Sequence, residues 1–220
     1  MAPVPRPAEL PDWNLERLPV ERYLRRTFLG RRTLGYHSSY GCPFLCNFCA
    51  VVNLVGGRWL AQPAERVARN LVEYRRRWGM DAVELNDNNF FVDQARVAEF
   101  SQRMLGQGIA WWGEGRVDTL LRFSDATWRL MAQSGLRMVY LGAESGSQET
   151  LDRMDKGGTL RPEDTLALVE LMGRHGVVPE LSFVLGNPPD PEGDTARTLD
   201  FVRRAKRLNP ATEVVLYLYS

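Results

Sequence analysis

Residues 39–49, SYGCPFLCNFC, contain all three cysteines of the 220-residue chain: Cys42, Cys46 and Cys49. An odd number of cysteines in one short segment excludes a disulfide framework and indicates metal or redox chemistry in a reducing compartment. Three thiolates can ligate three irons of a four-iron cubane, which leaves the fourth iron open to another ligand, whereas electron-transfer ferredoxins supply four cysteines per cluster. An open coordination position is typical of a catalytic site.

A structural zinc loop is the alternative interpretation of this segment, with His37 as a fourth ligand. Structural zinc sites normally combine two separated pairs of ligands, which this chain lacks. Around the cysteines, Phe44, Leu45 and Phe48 provide an apolar shell of the kind that shields a cluster. We therefore favour an iron–sulfur cluster.

The rest of the chain indicates an α/β fold with a parallel sheet. From Thr33 onward, apolar stretches of strand length alternate with longer amphipathic segments, as in βαβ units. Strands are predicted at residues 33–37, 82–86, 109–113, 138–142, 180–185 and 213–219. Helices are predicted at residues 64–78, 94–105, 125–133, 163–175 and 195–208. Strands joined in this way form about three quarters of a barrel, a partial (β/α)6 TIM-like barrel, with its chemistry at the carboxyl ends of the strands.

The domain organisation follows from the same pattern. Residues 1–32 are rich in Pro, Arg and Leu and are predicted to form a lead-in segment or linker with a helix near residues 20–28. Residues 33–220 form the predicted barrel core. The chain stops inside an apolar run, residues 214–219, with no helix after it to cover that run. We therefore expect a barrel truncated at its C-terminal end, an excerpt from a longer protein.

Composition limits the functional classes. With 44% hydrophobic and 25% charged residues, the chain has the composition of a globular domain. The net charge of +1 gives no strong electrostatic footprint for nucleic acid. No apolar run is long enough to span a bilayer, and residues 1–11 do not have the layout of a signal peptide. We expect a cytoplasmic protein.

The cysteine spacing, with an aromatic residue before the last cysteine and a strand before the loop, resembles the signature of the radical S-adenosylmethionine (SAM) superfamily. The resemblance extends over residues 33–220 and implies a [4Fe–4S] cluster held by Cys42, Cys46 and Cys49. It also implies SAM as a cofactor, bound to the free iron and cleaved by one electron to a 5′-deoxyadenosyl radical that abstracts hydrogen from a substrate. The partners that it implies are a small-molecule substrate and an electron donor such as flavodoxin or ferredoxin.

The resemblance also assigns residues that follow the other strands to the SAM pocket. Asp87 is the expected contact of the SAM ammonium group, because a carboxylate can pair with that charge; an Asn/Asp-rich turn that ends the strand is the alternative. Glu144 and Ser145 match the ribose-binding segment, with a turn as the alternative role of the glutamate. Lys156, one of only two lysines in the chain, is expected to approach the SAM carboxylate, unless it belongs to an exposed loop.

Two further residues complete the predicted pocket. Arg116 would reach the SAM carboxylate or the substrate, and a helix cap or a salt bridge is its alternative role. Gly186 would allow the adenine to approach the backbone closely, and a simple strand-to-loop turn is the alternative there.

The best-matching subgroup is the cobalamin-associated class, which includes the anaerobic magnesium-protoporphyrin monomethyl ester cyclase and radical methyltransferases. Methyl transfer or oxidative cyclisation on a tetrapyrrole, lipid or other secondary metabolite is the implied reaction. The 220 residues include no cobalamin-binding domain, so the use of cobalamin by the full-length protein stays open. A cobalamin-independent modifier of peptide or RNA is the second enzymatic hypothesis. A non-catalytic iron–sulfur or zinc module is the alternative of another class.

Overall fold

A parallel sheet forms the frame of the protein in the computed structural model, which describes residues 6–156 and 160–219. Within these residues the strand order is β1-β4-β5-β6-β7-β8, and every neighbouring pair is parallel. The strands are β1 (Thr33–Tyr36), β2 (Ser39–Gly41), β3 (Trp59–Ala61), β4 (Ala82–Leu85), β5 (Ala110–Gly115), β6 (Leu136–Glu144), β7 (Val178–Leu185) and β8 (Glu213–Leu218). The sheet ends at β1 on one side and at β8 on the other. It is therefore an open, partial barrel.

Helices connect the strands and cover the outer face of the sheet. They are α1 (Ala50–Val55), α2 (Ala64–Trp78), α3 (Gln94–Met104), α4 (Val117–Leu120), α5 (Asp125–Gln133), α6 (Gln148–Met154), α7 (Pro162–Arg174) and α8 (Pro191–Leu208). The predicted strands and longer helices of the barrel are confirmed, with ends that differ by a few residues. These segments were predictable because each buries an apolar stripe or face of its own.

The N-terminal segment differs from the prediction. The expected helix at residues 20–28 is wrong, because only a short 3-10 turn, Val20–Arg22, forms there. Beyond this turn the backbone of Arg25 pairs with that of Thr33 in an antiparallel bridge. This tertiary pairing uses the backbone groups that a continuing helix would need. The segment packs on α2, where Arg66 donates to Asp12 at 2.8 Å and to the Leu10 carbonyl at 2.6 Å.

A small hairpin frames the cysteine loop and was not predicted. Strands β2 and β3 pair antiparallel, and the cysteine loop and α1 lie between them. Both strands have three residues, too few for an alternating pattern to identify them. A Cβ at Gly41 would clash with the Arg58 carbonyl, and its φ of +81° also requires glycine. The hairpin thus depends on the glycine that precedes Cys42.

The main core lies between the sheet and the helices. Phe90, Phe91, Phe100 and Trp111 form an aromatic cluster with ring centroids 5.2–6.1 Å apart. Side chains alternate along β5, so the neighbouring Trp112 points to the opposite face, where its Nε1 donates to Glu180 at 2.8 Å. One face of the sheet is therefore a packed core, and the other is a partly polar interior.

None of the helices in residues 6–156 and 160–219 has the length and hydropathy required to cross a membrane.

Candidate active site at the carboxyl edge of the sheet

The cysteine loop lies at the carboxyl edge of the sheet, after β1 and β2. Cys46 is buried, whereas Cys42 and Cys49 are partly exposed. The Cys49 N–H donates to the Cys46 carbonyl at 3.2 Å, which brings the last two cysteines into one turn. The loop thus presents thiols beside the ends of the other strands, as the sequence predicted.

Arg116 follows β5 and reaches the cysteine loop. Its Nη1 lies 3.1 Å from Cys46 Sγ, and its guanidinium carbon lies 4.0 Å from the centroid of the Phe44 ring. Asp118 accepts from Nε at 3.0 Å and from Nη2 at 3.1 Å. Burial opposes the charge, but the hydrogen bonds to Asp118 and its carboxylate charge raise the pKa of Arg116. The guanidinium is therefore a permanent positive charge next to a cysteine.

Cys42 has a different environment. Burial raises the pKa of its thiol, while the Phe44 N–H, the Arg116 charge and the Asn89 amide act in the opposite direction. Asn89 is buried, and its Oδ1 accepts from the Phe91 N–H at 3.2 Å. Its Nδ2 is buried without a hydrogen-bond partner among the described residues. The sequence alone did not indicate a role for this asparagine.

Asp87 lies behind the cysteine loop and is fully buried. One carboxylate oxygen accepts from the Ser38 N–H at 2.6 Å, and the other accepts from the hydroxyls of Ser38 at 2.5 Å and Ser39 at 2.7 Å. These bonds tie the end of β4 to the start of the loop. The predicted contact between Asp87 and the SAM ammonium stays a prediction, and it requires Asp87 to exchange at least one of these partners.

Glu144 and Lys156 form a buried ion pair at the end of β6. Glu144 Oε1 lies 2.7 Å from Lys156 Nζ, and their side chains are 10% and 7% exposed. Lys156 Nζ also donates to the Gly142 carbonyl. A Cβ at residue 142 would clash with both charged groups, so a larger residue there would displace the ion pair. Glu144 has a φ of +65°, a backbone conformation that non-glycine residues adopt mainly at specialised positions.

Ser145 belongs to a buried network centred on Asp194, in the first turn of α8. Asp194 Oδ1 accepts from the hydroxyls of Ser145 at 2.8 Å and Thr150 at 2.7 Å, and Oδ2 accepts from Asn187 Nδ2 at 2.9 Å. Burial alone would raise the pKa of Asp194, but these hydrogen bonds lower it below its ordinary value. One carboxylate thus connects the loops after β6 and β7. Sequence patterns missed it because nothing local marks its partners.

We expect Asp194→Ala to lower the free energy of unfolding by about 3 kcal/mol or more. Each buried donor left without an acceptor costs about 1–3 kcal/mol, and three side chains lose the same acceptor. Urea unfolding of the protein at pH 7 measures this loss. Asp200→Ala, on an exposed face of the same helix, is the control, with an expected change within about 0.5 kcal/mol. Equal losses in the two variants would contradict the role of Asp194.

The same network predicts a dependence on pH. The pKa of Asp194 is lower in the folded protein than in the unfolded chain. Its contribution to stability is therefore fully present above the unfolded pKa of about 4 and is lost as the pH falls through the folded pKa. The stability difference between the native protein and Asp194→Ala should shrink in acid below about pH 4.

The loop after β7 leaves open space beside Gly186. Gly186 has a φ of +79°, and a Cβ there would meet nothing within 4 Å. A nearby cavity of about 450 Å³ adjoins the cysteine loop at Phe48 and includes Val184, Asn187 and Met154 in its lining. A larger cavity, about 870 Å³, lies between the N-terminal segment and α2, away from the cysteines. The smaller cavity borders the cysteine loop, but its lining includes none of the residues predicted to contact SAM.

Glu114 is a second carboxylic acid that the sequence analysis missed. It follows Trp112 by two positions on β5 and therefore points to the same interior face of the sheet. Burial, with smaller contributions from the charges of Asp87 and Glu180, raises the pKa of Glu114 to about 7. Its position between Gly113 and Gly115 at the end of a strand could have marked it in the sequence as a candidate site residue. The site thus contains a carboxyl group that can change charge near neutral pH.

Together these features define an α/β protein with a partial parallel barrel and a three-cysteine site at the carboxyl edge of its sheet. The Radical SAM superfamily matches residues 36–202, which is more than half of the chain. The chain therefore belongs to the Radical SAM superfamily. This membership implies a [4Fe–4S] cluster and SAM as cofactors, as the resemblance in sequence implied.

Similar proteins agree with this assignment. An uncharacterized methyltransferase of Pyrococcus horikoshii is 30% identical over 76% of this chain and 36% of its own length. The anaerobic magnesium-protoporphyrin IX monomethyl ester cyclase of Synechocystis is 25% identical over 81% of this chain and 34% of its own length. The structure of the radical SAM methyltransferase TsrM from Kitasatospora setae, with cobalamin and a [4Fe–4S] cluster bound, superposes with a TM-score of 0.72 at 17% identity, over 93% of this chain and 39% of TsrM. The chain spans about a third of the length of the curated relatives it matches.

The side chains around the cysteine loop fit a cluster. Three thiols are available in one loop, Arg116 directs an N–H at Cys46 Sγ, and Asn89 holds a buried, unused N–H group beside Cys42. Hydrogen-bond donors to the sulfurs are a regular feature of iron–sulfur sites. Among residues 6–156 and 160–219, no three His, Cys, Asp or Glu side chains are arranged to hold one metal ion. A cubane differs from such a site because each cysteine binds a different iron.

Proposed function

We propose that this chain is the catalytic core of an enzyme that cleaves SAM reductively to a 5′-deoxyadenosyl radical. The observation that carries the proposal is the position of the three-cysteine loop, at the carboxyl edge of the sheet with the Arg116 guanidinium 3.1 Å from Cys46 Sγ. When bound, the cluster supplies one electron to SAM, whose C5′–S bond breaks to give methionine and the radical. The protein binds and orients SAM and excludes water from it.

The residues at the strand ends support a SAM pocket next to the loop. Lys156 is suited to the SAM carboxylate, since an ammonium acts as a compact point charge. Glu144 can accept hydrogen bonds from the ribose hydroxyls, with Ser145 and the Asp194 network holding the backbone beside it. Gly186 leaves open space for the adenine. In this arrangement the SAM carboxylate and ribose hydroxyls would replace part of the contact between Lys156 and Glu144.

Asp87 remains our candidate for the SAM ammonium, through exchange of its bonds to Ser38 and Ser39. Arg116 stays at Cys46, where it is already bound, and contacts the SAM carboxylate or the substrate only with an N–H group that becomes free. Each of these charged groups therefore has to exchange at least one protein partner when SAM binds.

The reaction that we propose for the full-length protein is methyl transfer or oxidative cyclisation on a small molecule, such as a tetrapyrrole, lipid or other secondary metabolite. Similarity to a methyltransferase and to a cyclase supports these two reaction types. The fold shared with the cobalamin-bound TsrM structure supports cobalamin as an additional cofactor. A flavodoxin or ferredoxin in the cytoplasm would supply the electron.

The proposed chemistry has a direct test. After anaerobic reconstitution with iron and sulfide, the protein should bind about four irons per chain and form 5′-deoxyadenosine when a strong reductant and SAM are added. Reactions without SAM or without reductant are the controls. Stoichiometric zinc with no iron, or a cluster that never yields 5′-deoxyadenosine, would contradict the proposal.

A second measurement concerns cobalamin. Purification of the full-length gene product from cells supplied with cobalamin should give a protein whose absorption spectrum includes that of the cofactor. A full-length protein that forms 5′-deoxyadenosine but binds no cobalamin would instead support a cobalamin-independent modifier of peptide or RNA.

A further inference from the structure

Two buried N–H donors lie next to two different cysteines of the loop. Arg116 is 6% exposed, and its Nη1 is 3.1 Å from Cys46 Sγ. Asn89 is 1% exposed, and its neighbour Asn88 accepts from the N–H of Gly41, the residue before Cys42, at 3.2 Å. The two residues come from different strand ends, after β5 and β4, so they approach the loop from different elements.

Other contacts determine how the Arg116 guanidinium is oriented. Its Nε and Nη2 bind the Asp118 carboxylate, and Nη2 also donates to the Lys156 carbonyl at 2.5 Å. The Phe44 ring packs against the guanidinium plane. The remaining nitrogen, Nη1, donates to Cys46 Sγ. The arginine is therefore held by three neighbours in the orientation that directs one N–H group at Cys46.

The Asn89 amide is oriented by its other end. Oδ1 accepts from the Phe91 N–H at the start of a 3-10 turn, which leaves Nδ2 on the opposite side. Nδ2 is buried and has no hydrogen-bond partner among the described residues. A buried donor without an acceptor is costly, so it is expected to have a function or a ligand. A cluster-bound thiolate at Cys42 would be a stronger acceptor than a neutral thiol.

We propose that Arg116 and Asn89 donate hydrogen bonds to the Cys46 and Cys42 thiolates and thereby raise the reduction potential of the cluster. This inference rests on the proposed function, since it requires the cluster to be present. Reduction adds one negative charge to the cluster, and donors to its sulfurs stabilise the reduced form more than the oxidised form. Arg116 adds the attraction of a buried positive charge. Both residues make the cluster easier to reduce by a cellular electron donor.

The inference is tested by redox titration of the anaerobically reconstituted protein, followed by the electron paramagnetic resonance signal of the reduced cluster. Asn89→Leu removes the amide donor with little change in volume, and Arg116→Gln removes the charge while keeping an N–H group. Each variant should shift the midpoint potential to more negative values. A tenfold loss in the equilibrium constant for one-electron reduction corresponds to about 59 mV.

Matched controls separate this effect from a general effect of substitution. Asn53→Leu and Arg122→Gln change the same residue types at exposed positions, on α1 and after α4, and should leave the midpoint potential unchanged. Arg116→Lys keeps the positive charge but lacks the planar guanidinium group. The midpoint potential of this variant should therefore lie between those of the native protein and Arg116→Gln. If Arg116→Gln assembles no cluster, the midpoint potential of Arg116→Lys still tests the role of the arginine.

The outcomes distinguish the two proposals. If the native protein assembles no cluster, the proposed function fails. If the native protein and the Asn89 and Arg116 variants all bind about four irons and share one midpoint potential, the inference is overturned while the proposed function stands. More negative potentials in the Asn89 and Arg116 variants, with unchanged potentials in the two controls, support it.

Discussion

Replacement of any one of Cys42, Cys46 or Cys49 by alanine is expected to reduce the bound iron from about four per chain to near zero. A cubane held by three thiolates has no spare protein ligand, and these are the only cysteines in the chain. The variants should lose the brown colour of the reconstituted protein and form no 5′-deoxyadenosine. Iron analysis and the absorption spectrum after anaerobic reconstitution measure the loss.

Leu45→Ala is the control for this prediction. Leu45 lies in the same loop between two of the cysteines, and 65% of its surface is exposed, in contrast to the shielding role expected from the sequence. We expect this variant to bind iron as the native protein does. A cysteine variant that keeps the iron content of Leu45→Ala would show that the replaced thiol is not a ligand.

Lys156→Ala is expected to have the second largest effect, and on two properties. It should weaken SAM binding without changing the iron content, because the SAM carboxylate loses its expected partner. It should also lower the free energy of unfolding by about 3–5 kcal/mol, since Glu144 would remain buried without its partner. A SAM titration and urea unfolding measure the two effects separately.

A double variant separates the ion pair from the SAM contact. Glu144→Gln combined with Lys156→Met removes both charges, so it should recover much of the stability that Lys156→Ala loses. It should not recover SAM affinity, because both proposed SAM contacts are absent. Lys206→Ala, on the exposed side of α8, should change neither property. Equal SAM affinity and equal stability of Lys156→Ala and Lys206→Ala would contradict both roles assigned to Lys156.

Glu144→Ala and Asp87→Ala now carry different expectations. Both residues are proposed to contact SAM, so each variant should lose SAM affinity by the roughly 1.5–3 kcal/mol of a hydrogen bond to a charged group. In the structure Asp87 also holds Ser38 and Ser39 at the start of the cysteine loop. Loss of this carboxylate should therefore disturb the cluster as well, whereas loss of Glu144 should not.

The sequence alone determined the order of the barrel elements and the three cysteines. Strands and helices that bury one face have an apolar period that can be read locally, as in α2 and β7. The cysteines were identifiable because their spacing lies within one loop. The helix predicted at residues 20–28 was wrong because Arg25 pairs with Thr33 in an antiparallel bridge, a contact that no local pattern encodes.

Only the tertiary structure decided which side chains meet. Arg116 and Cys46 are 70 positions apart, and Ser145 and Asp194 are 49 apart. The parallel strands bring these residues to one edge of the sheet, although nothing in their local sequence records the distance between them. The charge of Glu114 also depends on tertiary structure, because burial and the carboxylates of Asp87 and Glu180 raise its pKa to about 7. Local patterns depend on neighbours in the chain, whereas hydrogen bonds and burial depend on neighbours in space.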